Sequence, residues 1–198
     1  LSEHHHHPTA ALGEFLQKLA TDGLLSLTRW IKPPPRDTLK RLATAIDALR
    51  ASGVHGPGQQ LILNRGWQTS TLLVKNGAVS ARDIERMRAF CAARSFDLVW
   101  YPGITRGESN RYNRLRDAWF HDAAVSLLGE QRERFLDDYK FNLTPATDDR
   151  PHFFHFFKWR TLKEVLQLRE RGGAPLTDAG YLVLIATLAQ AVIASLLL

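Results

Sequence analysis

The chain has 198 residues, of which 44% are hydrophobic and 23% are charged, and it carries a formal net charge of +6 with a pI near 9.8. This composition excludes a wholly disordered chain and predicts one folded domain with a substantial core, with or without an appendage. The positive charge permits nucleic-acid binding and fits equally a protein that rests on an anionic membrane surface. A single cysteine, Cys91, excludes an internal disulfide framework and indicates a reducing compartment.

The first elements alternate between helix and strand. An amphipathic helix is predicted over 8–21, because apolar residues recur there at helical spacing. A short apolar run over 24–29 predicts a strand, which three consecutive prolines at 33–35 end. Asp37 is placed to cap a second helix. The apolar face of that helix consists of Leu39, Leu42, Ala43, Ile46 and Leu49.

Two strand-like runs, 61–64 and 71–75, lie close enough in the chain to form a β-hairpin. The connection contains Arg65 and Trp67, and an Asn-Gly pair at 76–77 ends the second run. The sequence therefore predicts that both runs and the first strand belong to one sheet, with the hairpin strands antiparallel.

A capping box is predicted at the start of the third helix, where Ser80 and Asp83 have the required spacing. The residues predicted to share one face of this helix are Ile84, Met87 and Cys91. Beyond it, 96–101 is predicted to form another strand, and 109–140 is predicted to be helical and strongly charged.

The C-terminal run 181–198 is long and uncharged, and Gln190 is its only strongly polar residue. A bilayer core needs roughly 20 such residues, so the run predicts a transmembrane helix that is cut short. The alternative is a buried core helix, although a globular helix of this length normally shows a polar stripe. Basic residues precede the run, which predicts a cytoplasmic soluble part. These residues are Lys158, Arg160, Lys163, Arg169 and Arg171.

Several segments resemble one protein family. They are DGLLSLTRW at 22–30, PPRD at 34–37, GWQTSTLLVKNG at 66–77, FCAARSFDLVWYPG at 90–103, NRYN at 110–113 and PATDDRPHFFHFFKW at 145–159. Together with the element order, they resemble the spermidine-synthase-like, S-adenosylmethionine-dependent transferase domains of bacterial multi-spanning membrane proteins. The pattern of elements alone is weak support, because many α/β folds contain a similar stretch.

The resemblance implies the C-terminal portion of a doubly wound, class I methyltransferase-like (Rossmann-like) α/β sheet with a β-hairpin. It implies a division into an α/β part over 1–104, a helical extension over 105–171, a hinge over 172–180 and the transmembrane helix over 181–198. It also implies a bacterial inner-membrane location. Because the chain begins at Leu1 rather than at methionine and shows no signal-peptide pattern, we expect a fragment of a longer protein.

In such folds the first strands hold S-adenosylmethionine, or its decarboxylated form, through a glycine-rich turn and acidic residues. The only glycine-rich break, Gly56-Pro57-Gly58, has no strand before it and no helix after it. We therefore expect the cofactor to bind elements of the full-length parent upstream of this segment, and we expect no cofactor to bind the fragment alone.

Ligands in open α/β sheets bind beyond the carboxyl ends of strands. The candidates for binding the acceptor substrate are Arg29, Trp30, Lys32, Arg36 and Asp37 after the first strand, and Arg65 and Trp67 in the hairpin connection. The alternative is structural: Trp30 packs under the loop, while Arg36 and Asp37 cap the helix. The sequence does not decide between these interpretations.

The segment 147–151 places two carboxylates, Asp148 and Asp149, beside Arg150. It predicts either a polar lid, with one carboxylate as catalytic base and Arg150 on the substrate, or a structural latch that caps the following turn. The aromatic residues after it are predicted to form either a membrane-interface belt or part of the core. They are Phe153, Phe154, Phe156, Phe157 and Trp159.

A metal site is not expected. The four consecutive histidines over 4–7 lack the i, i+4 spacing that places two ligands on one helical face, and no partner lies at ligand spacing. Cys91 is predicted to be a core residue rather than a nucleophile.

Two classes of function stay open. The first is the C-terminal segment of a membrane-tethered transferase that moves a methyl or aminopropyl group to a small-molecule acceptor. The second is a non-catalytic, membrane-associated module that retains the fold and serves transport or assembly. The expected partners are the lipid bilayer and the acceptor, with homo-oligomerisation left open. Nucleic acid is not expected, because the basic residues are scattered and no aromatic stacking platform is evident.

Overall fold

The computed structural model describes residues 9–32, 34–147, 153–161, 184, 186–188 and 190–195. Described residues up to Phe156 belong to one compact unit, and those from Phe157 onward belong to a second. The first unit contains the sheet and all of the candidate site residues that the structure describes.

The described part of the first unit contains five α-helices and four β-strands. The helices are α1 (Thr9–Lys18), α2 (Asp37–Ala51), α3 (Ala81–Ala93), α4 (Trp119–Leu128) and α5 (Arg132–Asp138). The strands are β1 (Leu24–Trp30), β2 (Leu61–Arg65), β3 (Thr69–Lys75) and β4 (Asp97–Trp100). These bounds confirm the predicted strands and the first three predicted helices to within a few residues.

The four strands form one sheet in the order β1-β3-β2-β4, and every neighbouring pair is antiparallel. Because β3 is antiparallel to both of its neighbours, β1 and β2 run parallel to each other on either side of it. Their carboxyl ends therefore lie at the same edge of the sheet. The prediction of one sheet with an antiparallel hairpin is confirmed.

Helices cover both faces of the sheet, which makes the unit a mixed α/β fold. On one face, α1, α2, α4 and α5 bury a core against alternate residues of the strands, including Leu61, Leu63 and Leu72. On the other face, α3 places Cys91 against Ile62 and its neighbours. The alternation follows from the two-residue period of a strand, which directs successive side chains to opposite faces.

The capping box at the start of α3 is present. Asp83 donates its backbone N–H to the Ser80 hydroxyl, and the Asp83 carboxylate accepts from the Ser80 backbone N–H at 3.0 Å. The cap predicted at Asp37 is wrong: α2 already begins at Asp37, Arg36 is the N-cap residue, and no side chain caps the helix. The Asp37 carboxylate lies instead 3.8 Å from Arg36 Nε.

The helix predicted over 109–140 is wrong over its first ten residues. Residues 109–118 form an irregular loop, and regular helix begins only with α4. Asp97, at the start of β4, holds this loop by accepting hydrogen bonds from three successive backbone N–H groups. These bonds to a distant carboxylate replace those that a helix would have made within itself.

The second unit is described only in part. A short 3₁₀ turn runs over Trp159–Thr161, and the described residues between 184 and 195 are helical and exposed. Among the described residues, no helix is both long and apolar enough to cross a membrane. The predicted span over 181–198 falls partly outside the described residues, so it stays a prediction.

Candidate functional site

A row of polar residues crosses the sheet at the carboxyl ends of β1 and β2. Arg29 of β1 and Arg65 of β2 both lie opposite Ser70 of β3, one on each side. The Ser70 hydroxyl bonds to the Thr38 hydroxyl of α2 at 2.6 Å, which fixes the first turn of α2 against this row. The carboxyl ends of β1 and β2 and the start of α2 therefore meet at one edge of the sheet.

Four cationic side chains gather on the α2 side of this edge, and we call them the cation cluster: Arg29, Arg36, Lys40 and Arg41. The last three are almost completely buried, with 4%, 2% and 7% of their surface exposed. Asp37 is the carboxylate that the described residues place beside them. The described part of this region therefore carries a clear excess of positive charge.

Aromatic rings cover the cation cluster. Phe153 and Phe156 are buried, and they pack edge-on with centroids 6.5 Å apart. The Lys40 ammonium lies 5.2 Å from the Phe156 ring centroid, and the Arg41 guanidinium lies 5.3 Å from that of Phe153. Such cation–π contacts offset part of the cost of removing a cation from water. Of the two interpretations of the aromatic run, the structure favours core for Phe153 and Phe156 alone, because Phe154 and Trp159 are 38% and 68% exposed.

The other rings in this region support the same arrangement. Arg36 lies within 5.4 Å of the Phe141 and Phe156 centroids, and Arg29 lies 5.3 Å from that of Phe154. The backbone N–H of Asn142 also donates to the Phe156 carbonyl at 2.9 Å. Ring contacts thus hold segment 153–156 against the start of α2, and a backbone bond ties it to Asn142.

Hydrogen bonds satisfy only some of the buried N–H donors of the cation cluster among the described residues. The Lys40 ammonium donates to the His155 carbonyl at 3.0 Å. Arg41 Nε and Nη2 are buried and find no hydrogen-bond partner among the described residues. Two guanidinium nitrogens without a partner are costly, because a buried polar group loses its water without replacement.

Burial lowers the pKa of two of these groups. Desolvation lowers the pKa of Lys40 to about 8, and the Asp37 carboxylate opposes that shift. Desolvation, with help from the nearby Arg29 charge, lowers the pKa of Arg41 to about 10. A lysine with a pKa near neutrality exchanges its proton readily, and such perturbed groups concentrate at functional sites.

Arg65 belongs to a different arrangement, which we call the Asp97 network. Its Nη2 lies 3.2 Å from the buried Asp97 carboxylate and donates to Asn110 Oδ1 at 2.9 Å and to the Asn113 carbonyl. Burial lowers the pKa of Arg65, and Asp97 opposes that shift. Arg65 Nη2 and the three backbone N–H groups that bond to Asp97 all meet acceptors, so these bonds explain how the loop is held.

The predicted site residues are therefore only partly brought together. Arg29 and Arg36 belong to the cation cluster, and Asp37 lies beside Arg36. Trp30 and Trp67 are instead about two-thirds exposed, so the prediction that Trp30 packs under the loop is wrong. The remaining candidates lie outside the described residues: Asp148, Asp149 and Arg150.

The sequence analysis missed Lys40 and Arg41. Both lie on the α2 face that the amphipathic pattern assigns to solvent, and the aromatic cover that buries them comes from more than a hundred residues later. No local signal in α2 indicates this burial, because the covering rings lie in a distant segment of the chain.

Comparisons with known proteins give no match: no family model, no curated protein and no solved structure resembles this chain. Within the described part of the chain, no group of three His, Cys, Asp or Glu residues is placed to hold a metal ion. The glycine-rich break at 56–58 overlaps a 3₁₀ turn that leads into β2, so this break does not form the strand–turn–helix arrangement of a nucleotide-binding loop.

Proposed function

We propose that this chain is the acceptor-binding side of an S-adenosylmethionine-dependent transferase-like protein, which moves a methyl or aminopropyl group to a small acceptor. The position of the cation cluster carries the proposal. It lies where β1 ends and α2 begins, at the edge where open α/β sheets bind ligands.

The strand order supports the same proposal. In a class I methyltransferase-like sheet, the final strand turns back antiparallel between two strands that are parallel to each other. β3 occupies that position between β1 and β2. On this proposal, the chain is the C-terminal portion of a doubly wound sheet, and the donor cofactor binds elements of the parent protein outside the described residues.

The charge of the site favours an acceptor that carries a carboxylate or a phosphate. Among the described residues, the cation cluster presents Arg41 with two nitrogens that lack partners and Lys40 with a pKa of about 8, and Asp37 is the carboxylate placed beside them. An anion would be held by charge-assisted bonds, whereas a diamine would be repelled. Segment 153–156, which covers the cluster, would exclude water from the bound acceptor.

The alternative is a non-catalytic module that retains the fold and serves transport or assembly. The closed aromatic cover is the observation that favours it, because Phe153 and Phe156 bury the cluster as a core would. On this alternative, removing a cluster cation would weaken the fold and alter no ligand binding.

Two measurements test the proposal. Calorimetry of the 198-residue chain with S-adenosylmethionine, or with its decarboxylated form, should show no binding, because the glycine-rich break at 56–58 does not form a nucleotide-binding loop. In the longest natural protein that contains this chain, transfer of tritiated methyl from S-adenosylmethionine should favour small carboxylates over diamines. Arg41→Met should raise the KM of the labelled acceptor by about tenfold or more, as loss of a charge-assisted bond does.

Arg86→Met is the matched control, because Arg86 is exposed on α3 and its loss removes the same charge. Tight cofactor binding by the isolated chain would contradict the proposal that the cofactor binds elsewhere in the parent protein. Preferential labelling of diamines, unchanged in Arg41→Met, would contradict the assignment of the acceptor site.

Membrane attachment through the run 181–198 is a separate part of the proposal. The full chain should resist extraction by alkali and need detergent, whereas a chain that ends at Gly172 should be recovered without it. Recovery of the full chain in the alkali-soluble fraction would contradict the proposed anchor.

A further inference from the structure

An arginine-rich loop connects β4 to α4 and lines an open groove of about 500 Å³, which we call the arginine groove. Four arginines line it, and all are exposed: Arg106, Arg111, Arg114 and Arg116. Asp117 is the acidic residue in its lining. The groove is separate from the cation cluster, with which it shares no residue.

The backbone beneath these arginines is held in place from within the fold. The Asp97 carboxylate, which is 1% exposed, accepts from the backbone N–H groups of Arg111, Tyr112 and Asn113 at 2.5, 2.7 and 2.8 Å. A carboxylate buried so deeply is rare unless it is paired and fully hydrogen-bonded. Here its bonds fix the path of the loop.

Asn110 closes the same loop from the other side. With φ at +57°, it directs its side chain back to Leu115, donating to the carbonyl at 2.8 Å and accepting from the backbone N–H at 2.7 Å. Arg65 holds the Asn110 amide oxygen at 2.9 Å. The loop therefore presents its arginines from a backbone that is ordered before any ligand arrives, which lowers the entropic cost of binding.

Three of the four guanidinium groups are not paired with a carboxylate within the described part of the chain. Arg106 pairs with Asp122 through two bonds of 2.9 and 3.0 Å. Arg111, Arg114 and Arg116 form no ion pair within the described part of the chain, and Arg111 lies over the Tyr112 ring. Three unpaired arginines around one groove attract an anion more strongly than scattered surface charges do.

We propose that the arginine groove binds a phosphate group, either of a soluble phosphorylated molecule or of a phospholipid headgroup. Guanidinium groups bind phosphate oxygens in pairs, with a geometry that lysine cannot supply. The groove volume fits a small phosphorylated molecule and lies within the range of ordinary ligand sites. This site does not depend on the transferase proposal.

The test compares two double variants of the 198-residue chain. Arg114→Gln/Arg116→Gln removes two positive charges from the groove, and Arg82→Gln/Arg86→Gln removes two from the exposed face of α3. The probes are inorganic pyrophosphate, followed by calorimetry, and phosphatidylcholine vesicles with or without phosphatidylglycerol, followed by flotation. Circular dichroism checks that both variants fold.

The groove variant should lose binding by about tenfold or more, and the α3 variant should bind as the unchanged chain does. Pyrophosphate binding that shows this pattern supports the site with a soluble ligand. Vesicle binding that increases when phosphatidylglycerol is added to phosphatidylcholine, with the same pattern across the variants, supports it with a lipid headgroup. Arg114→Lys/Arg116→Lys should bind more weakly than the unchanged chain, because lysine keeps the charge and loses the paired bonds.

No binding of any probe by the unchanged chain would overturn the proposal. Equal weakening in the two glutamine variants would also overturn it, because the effect would then reflect net charge rather than the groove.

Discussion

Two buried charged regions of the first unit differ in how well their charges are satisfied. In the Asp97 network, one carboxylate meets three backbone N–H groups and Arg65, and Arg65 in turn meets two further acceptors. In the cation cluster, Arg41 keeps two buried nitrogens without partners among the described residues. A satisfied network orders the fold, whereas an unsatisfied one weakens it.

This difference indicates which of the two regions is the candidate functional site. Selection retains a destabilising charge when binding or catalysis needs it, so strained or unpaired groups cluster at functional sites. On this argument the Asp97 network is structural and the cation cluster is the candidate site.

The largest effect is expected from the Asp97 network. Asp97→Asn removes the charge opposite Arg65 and leaves the Arg65 guanidinium buried without its counterion. The free energy of unfolding, measured by urea titration, should fall by about 3–5 kcal/mol. Asp117→Asn makes the same change at an exposed residue of the same loop and should stay within about 0.5 kcal/mol. A loss below 1 kcal/mol for Asp97→Asn would show that the network is not a major source of stability.

The cation cluster should give the protein a specific pH dependence. Lys40 has its pKa lowered from 10.5 to about 8 by burial, so its charge opposes folding fully below pH 8. Between pH 8 and 10.5 the folded chain loses this proton while the unfolded chain keeps it, and stability should rise, by at most about 3 kcal/mol.

Lys40→Met should abolish that rise and add stability near pH 7. Urea titrations from pH 7 to 11 measure both, and Lys18→Met, at an exposed residue of α1, is the control for losing one positive charge. If the free energy of unfolding of Lys40→Met depends on pH as it does in the unchanged chain, Lys40 is not a buried cation with a lowered pKa.

The smallest effect is expected at the capping box of α3, a satisfied motif at the surface. Ser80→Ala removes the hydroxyl that accepts from the Asp83 backbone N–H at 3.2 Å. The free energy of unfolding should fall by about 1 kcal/mol. Ser80→Asn, which keeps a side-chain acceptor, should lose less. If Ser80→Ala lowers the free energy of unfolding as much as Asp97→Asn does, the buried network is no more stabilising than the surface capping box.

Local signals allowed much of the fold to be predicted from the sequence. Strand β1, the hairpin of β2 and β3, and the capping box all depend on residues within a few positions of one another. The order of the strands and the parallel relation of β1 and β2 were not predicted, because they depend on pairing between segments that are distant in the chain.

The errors occur where distant residues decide the structure. The loop over 109–118 has a charged, helix-like composition, but its backbone bonds go to Asp97 of β4. Lys40 and Arg41 occupy positions that the pattern of α2 assigns to solvent, yet Phe153 and Phe156 bury them. A periodicity argument does not anticipate either contact, because both join segments that are far apart in the chain.

The most direct test of the central contrast makes one substitution at two buried arginines. Among the described residues, Arg41 is 7% exposed and has two nitrogens without partners. Arg132 is 5% exposed and pairs with Asp47 at 2.7 Å through Nη2, so that only its Nη1 lacks a partner there. Methionine keeps the apolar bulk and removes the charge at either position. The measured quantity is the free energy of unfolding at pH 7.

Arg41→Met should be as stable as the unchanged chain or more stable, because it removes an uncompensated buried cation. Arg132→Met should lose about 2 kcal/mol, less than a fully buried pair would lose, because the Asp47 side chain is 34% exposed. If Arg41→Met is instead destabilised as much as Arg132→Met, the cation cluster supports the fold and the assignment of a binding site there is wrong.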